Sequence, residues 1–134
     1  VLRGEGGGEA RIQAVQHCIR AHRYRGTEAP QTIEARVLFD ADKLDVLGAI
    51  GAVRVVVYAA LAGTPFYSEP SSSFLETRQE IPGELHSAYH EYLFKLRNVE
   101  ERLFTTAGRA LARERTSYLT TFFEQLIAEI KGER

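Results

Sequence analysis

The segment running from Leu119 to Ile130 constrains this chain most. Leu119, Phe122, Phe123, Leu126, Ile127 and Ile130 fall at i, i+3, i+4, i+7, i+8 and i+11. Every one of those steps returns to the same side of an α-helix. No strand-like alternation bounded by hairpin turns appears anywhere in the sequence. The expected class is therefore all-α, a helical bundle. With 134 residues, one domain over 1–134 is expected, large enough to bury a core without staples.

Weaker periodicities predict the other helices. Residues 9–25 carry an apolar face of Ile12, Val15, Cys18 and Ile19, with Gly26 as the stop. Residues 27–31, with Pro30, read as a connection. Thr32 is a suitable cap for a helix whose buried positions are expected at Ile33, Val37, Leu38, Leu44 and Leu47. Gly48 and Gly51 break or kink that helix, or admit a close neighbour, before an apolar run reaches Ala62. Residues 64–83 hold three of the four prolines and read as a long loop. Residues 84–98 are expected to be helical, with Leu85, Tyr89, Tyr92, Leu93 and Leu96 along one side.

Several classes of function are disfavoured at once. The apolar run over 46–63 is close to spanning length, but Arg54 sits at its centre and two glycines interrupt it, so a buried core helix is expected rather than a membrane span. Lys plus Arg number 17 against 18 Asp plus Glu, a formal charge of −1. Nothing in that balance holds a nucleic-acid backbone, although "RAHRYR" is locally basic. Cys18 is the sole cysteine, which fits a reducing cytoplasm and excludes a multi-thiolate zinc site. The glycines of 3–9 lack the preceding strand and the Gly-Lys-Ser/Thr ending of a phosphate loop. No signal-peptide h-region opens the chain.

Chemistry concentrates in three places. Asp40, Asp42 and Asp45 crowd the entrance to the apolar run. Asp42 and Asp45, three apart on a helix, share a face that Asp40 does not. Lys43 beside them can meet an anion; the alternative is a solvated face with local salt bridges. In "VQHCIRAHRYRG", His17 and His22 are five apart and lie on different sides of a helix. Arg20, Arg23 and Arg25 suit a phosphate group, or simply complement a helix C-terminus. His86 and His90 are four apart and can face one way. Their acidic neighbour Glu91 follows the second histidine, so the His-Glu-x-x-His arrangement is absent and an amphipathic helix is favoured. No Gly-x-Ser-x-Gly occurs, and the apolar face that carries Cys18 argues against a nucleophilic thiol.

Taken together, "HCIRAHRYRG", the run "P-x-T-x-E-A-R-V-L-F-D-A-D-K-L-D" and "G-A-I-G" resemble the second half of HD-domain metal-dependent phosphohydrolases. The likeness extends through "YHEYLFKL" and "ALARERTSYLTTFFEQ" along nearly the whole chain. It implies an HD-like helical bundle that hydrolyses a small phosphorylated substrate, a nucleotide among the candidates, using a divalent metal (Mn, Mg, Ni, Fe or Zn). In such proteins a histidine, a His-Asp pair and a distant aspartate hold the metal. Carried over, Asp42 is the distant ligand. Lys43 contacts a substrate phosphate, Asp45 supports the site, and His17 and His22 line it as contacts to phosphate or to a second metal. Arg20 and Arg23 then join Lys43 in phosphate binding. The first histidine and the His-Asp pair belong upstream of the matched stretch. No His-Asp dipeptide occurs in these 134 residues, so the resemblance implies a chain truncated at its N-terminus, inactive or weakly active by itself. Apolar faces left open by that loss predict a homodimer or higher assembly. The competing reading is a non-catalytic helical interaction module.

Overall fold

The computed structural model describes residues 8–23 and 26–133. It is built of helices: α1 (Glu9–Ala21), α2 (Ile33–Leu44), α3 (Gly48–Leu61), α4 (Ser72–Thr77), α5 (Ala88–Phe94) and α6 (Thr106–Ile130), with two 3₁₀ turns at Leu96–Asn98 and Glu100–Arg102. No strand occurs among the described residues, as the periodicity predicts. Arg3, Gly4, Glu5, Gly6 and Gly7 of the glycine-rich start, and Arg25 of the basic cluster, lie outside them.

Hydroxyl side chains set most helix starts. Thr32 accepts from the Ala35 amide at 3.2 Å, as expected for its position. Ser71 accepts from Phe74 N at 3.1 Å and opens α4 inside the expected loop. Thr105 accepts from Gly108 N at 2.9 Å. Each satisfies an amide that the first helical turn leaves without a partner. Ser87 caps α5 through His90 N, so that helix begins at Ala88 and not at residue 84. The expected helix over 9–25 closes at Ala21.

The glycine pair divides the apolar run from the helix before it. Gly48 has φ +68, a backbone conformation that disfavours any side chain. A Cβ at Gly51 would lie 2.2 Å from the Val46 carbonyl oxygen. The chain turns there, and α2 and α3 meet at a bend of 65°. Arg115 of α6 braces the corner, donating to the Leu44 carbonyl at 2.9 Å. No single helix among the described residues is long and apolar enough to cross a membrane.

The core gathers Phe39, Leu47, Val55, Phe74, Tyr92 and Phe123 with smaller neighbours. Tyr92 stacks on Phe123 with centroids 4.4 Å apart, and its hydroxyl donates to Thr120 at 3.0 Å. Several expected core positions are instead on the outside. On α2, Ile33, Val37 and Leu38 are exposed, and Ala35, Phe39, Asp40, Lys43 and Leu44 are buried. The helix has two candidate faces, and the buried one includes charged residues that a hydrophobic count rejects. On α3 only Gly48, Gly51, Ala52, Val55 and Ala59 are buried, while Ile50, Val53, Val57, Tyr58 and Leu61 are exposed. Small residues face inward because α3 packs closely on α5 and α6. Ile19, Leu85 and Ile130 are exposed as well, and Cys18 is half-buried.

Candidate functional site

The three crowded aspartates serve three different surroundings. Asp40 is the buried one. Its Oδ1 accepts from Phe104 N at 2.9 Å, and its Oδ2 accepts from Thr105 N at 2.8 Å and Thr105 Oγ1 at 2.6 Å. This carboxylate therefore holds the loop that opens α6, and the negative charge faces the positive end of a helix dipole. On sequence alone Asp40 has no role, because it points away from Asp42 and Asp45; its partners lie more than sixty residues on, and no local spacing marks them.

Asp42 sits on the outside of α2, half-exposed, with Oδ2 against the Lys43 ammonium. Lys43 is only 4% exposed. Its Nζ donates to the His22 carbonyl at 2.8 Å and to Asp42, and lies 4.6 Å from the centroid of the Phe39 ring. The ammonium thus ties the last turn of α1 to α2, where a cation meets an unpaired helix-end carbonyl. Lys43, expected as a phosphate contact, is a buried link between the His22 carbonyl and Asp42. Asp45 caps α2, largely exposed, with Arg54 Nη1 at 3.6 Å.

His17 and His22 do diverge. Nδ1 of His17 lies 2.6 Å from Glu28 Oε1, and its Nε2 accepts from Gln31 N at 3.0 Å. Both ring nitrogens are engaged in holding the 26–31 connection, with the proton on Nδ1. Arg20 joins them through Nε to Glu28 at 2.7 Å. The Arg20 hydrogen bond first, and that of His17 next, hold the Glu28 carboxyl below the usual carboxylate range. His22 differs: Nδ1 donates to the Ile19 carbonyl at 2.6 Å, which leaves Nε2 with the lone pair that ligation requires. Arg23 is exposed nearby.

The structure thus brings His22, Lys43 and Asp42 together at the α1–α2 junction. It takes His17 and Arg20 to the connecting loop, and Asp45 toward α3. Among the described residues, no group of three or more His, Cys, Asp or Glu is arranged to hold a metal ion. Asp42 and His22 fall short of a ligand set, so these residues by themselves do not fit the divalent ion that the resemblance implies.

The histidines around α5 have carboxylate partners as well. His90, buried, places Nε2 2.9 Å from Glu84 Oε1 and Nδ1 2.8 Å from Ser87 Oγ. Glu84 also accepts from Ser71 Oγ at 2.6 Å and Ser71 N at 2.8 Å. Those Ser71 bonds first, then His90, pull the Glu84 carboxyl down to about 2. His86 pairs with Glu91 at 3.2 Å. The network clasps the 64–86 segment onto α5.

The chain has counterparts among known proteins. Over 131 residues the chain is 29% identical to the uncharacterized protein YpgQ of Bacillus subtilis, covering 95% of this chain and 57% of YpgQ. The crystal structure of YpgQ superposes with a TM-score of 0.77 at 28% identity, covering 98% of this chain and 61% of that one. An HD-superfamily hydrolase from Bacillus thuringiensis gives a TM-score of 0.71 at 25% identity, over 97% of this chain and 58% of the other. YpgQ has also been solved in complex with ADP, a structure matching with a TM-score of 0.70 at 27% identity over 91% of this chain and 54% of that chain. No family model matches the chain. The chain has an HD-like all-helical fold and spans little more than half the length of these relatives.

Proposed function

We propose that this chain carries the Asp42-bearing part of an HD-type phosphohydrolase that acts on a small phosphorylated substrate of the nucleotide kind. The observation that carries the reading is the placement of the Asp-Ala-Asp-Lys-Leu-Asp run. Its Asp42 reaches solvent on α2, paired with buried Lys43, whose ammonium also holds the His22 carbonyl, in a chain whose fold matches an HD-superfamily hydrolase. The ADP complex of YpgQ supports a nucleotide as the substrate class. Asp42 is the proposed metal ligand and His22 its neighbour. Lys43 is the positioning residue, because its ammonium is held by the His22 carbonyl and the Asp42 carboxylate. Arg23 is the exposed cation next to His22 in sequence for a phosphate, and Asp45 keeps the supporting role that the resemblance implies.

The test is Mn²⁺ binding by calorimetry, alongside turnover of nucleotides and simple phosphate esters with Mn²⁺, Mg²⁺ or Ni²⁺. The reading expects weak Mn²⁺ binding that falls about tenfold or more in Asp42→Asn and persists in Asp45→Asn. Equal binding by all three proteins would overturn it.

One observation favours a second reading, a helical interaction module. Ile33 and Val37 of α2, with Ile50, Val53, Val57 and Leu61 of α3, present large apolar side chains to solvent. Self-association through these faces, with no metal binding at Asp42, would select that reading.

A further inference from the structure

A cavity of about 530 Å³ opens between α3 and α5, apart from Asp42. Val46, Val55, Ala59, Ala88 and Leu96 form apolar walls. Its volume lies in the range of pockets that enclose a small organic molecule. Its charged and titratable lining groups are Arg54 of α3, with His86, Glu91 and Lys95 at α5.

The charged lining groups are paired, but unequally. Glu91 Oε1 takes Lys95 Nζ at 2.9 Å, and Oε2 faces His86 Nε2 at 3.2 Å. One carboxylate is therefore satisfied from both sides. Arg54 faces Asp45 at 3.6 Å, beyond good hydrogen-bond length, with both groups open to water. Such a pair is weak and readily exchanged for a better-placed oxyanion. Arginine's planar fork binds phosphate or carboxylate through paired hydrogen bonds. The satisfied acid leaves no strong repulsion across the mouth.

We propose that the α3–α5 cavity is a binding site for a small molecule with a flat apolar body and one oxyanion, the body among Val55, Ala59 and Leu96 and the oxyanion on Arg54. The site takes phosphate or carboxylate on the same chemistry. It stands independently of metal binding at Asp42.

The experiment is an amide-resolved NMR titration of the full chain in metal-free buffer, with 1-naphthyl phosphate, 1-naphthoate and inorganic phosphate as separate probes. Both naphthyl probes are expected to give saturable shifts at Val55, Ala59, Ser87 and Leu96. Inorganic phosphate, lacking the apolar body, is expected to leave those amides unshifted over the same range. Arg54→Gln should weaken both naphthyl probes about tenfold, the scale of a lost charge-assisted hydrogen bond. Ala62→Trp, a change at an exposed helix end on the rim, should weaken them at least as much by narrowing the mouth. Unchanged affinity in both variants would overturn the proposal. So would shifts confined to the exposed residues Ile50, Val53 and Val57, or cavity amides that shift on protein dilution with no probe present, since a second copy would then be the occupant.

Discussion

At the scale of single residues, Asp40 and Gly108 form one device. A Cβ added at Gly108 would lie 2.5 Å from Asp40 Oδ2 and 2.8 Å from Thr105 Oγ1. The glycine is required by the close approach of that carboxylate. Gly108→Ala is expected to destabilise the fold by about 1–3 kcal/mol, by pushing the acid off its donors. Asp40→Ala should cost about 2–3 kcal/mol, because the Phe104 and Thr105 amides lose a charged acceptor while part-buried. Urea denaturation of the two single variants and the double variant checks both. The double variant should fall well short of the sum, since either change alone breaks the same contact.

At the scale of elements, the segment between α3 and α5 is held by Glu84, Ser71, Ser87 and His90. Glu84 titrates near 2, against an ordinary 4.5. A depressed carboxylate stabilises the folded chain fully above its unfolded pKa, and that stabilisation is lost as the pH falls through the folded one. Stability should therefore decline on this account between about pH 4.5 and pH 2. Glu84→Gln is expected to lower stability at neutral pH and to flatten that acid limb, leaving the two proteins alike near pH 2. Thermal melts across the range measure it, and parallel acid limbs would count against the clasp. Sequence periodicity does not reveal this element. It rests on an acid, two serines and a histidine spread over 20 residues, and nothing about their spacing marks them as neighbours.

At the scale of the molecule, Ile33 and Val37 of α2 and Ile50, Val53, Val57 and Leu61 of α3 face solvent, and association through them is a prediction to be tested. Large apolar side chains exposed along a helix favour association. Sedimentation is expected to show mass rising with concentration, and Val53→Lys with Val57→Lys should weaken association about tenfold or more without unfolding the chain, because both side chains are exposed. A monomer at all concentrations would show that these faces do not bind copies of the chain.

The sequence alone determined the class and a few features marked by local chemistry: the apolar spacing along α6, the Thr32 cap, and Gly48 and Gly51 as a place where the helix breaks, kinks or admits a neighbour. These are short-range effects, decided by a residue and its neighbours within a turn. It also marked the aspartate run as the place to look, through its likeness to HD-domain proteins. Only the tertiary structure decided which aspartate is buried, that Lys43 ties two helices together, and that His17 holds a loop while His22 keeps a ring nitrogen available. Those outcomes depend on partners distant along the chain, Phe104 and Thr105 for Asp40 and the His22 carbonyl for Lys43. A charge is buried where such partners compensate it, and a pattern of hydrophobicity carries no record of where they are.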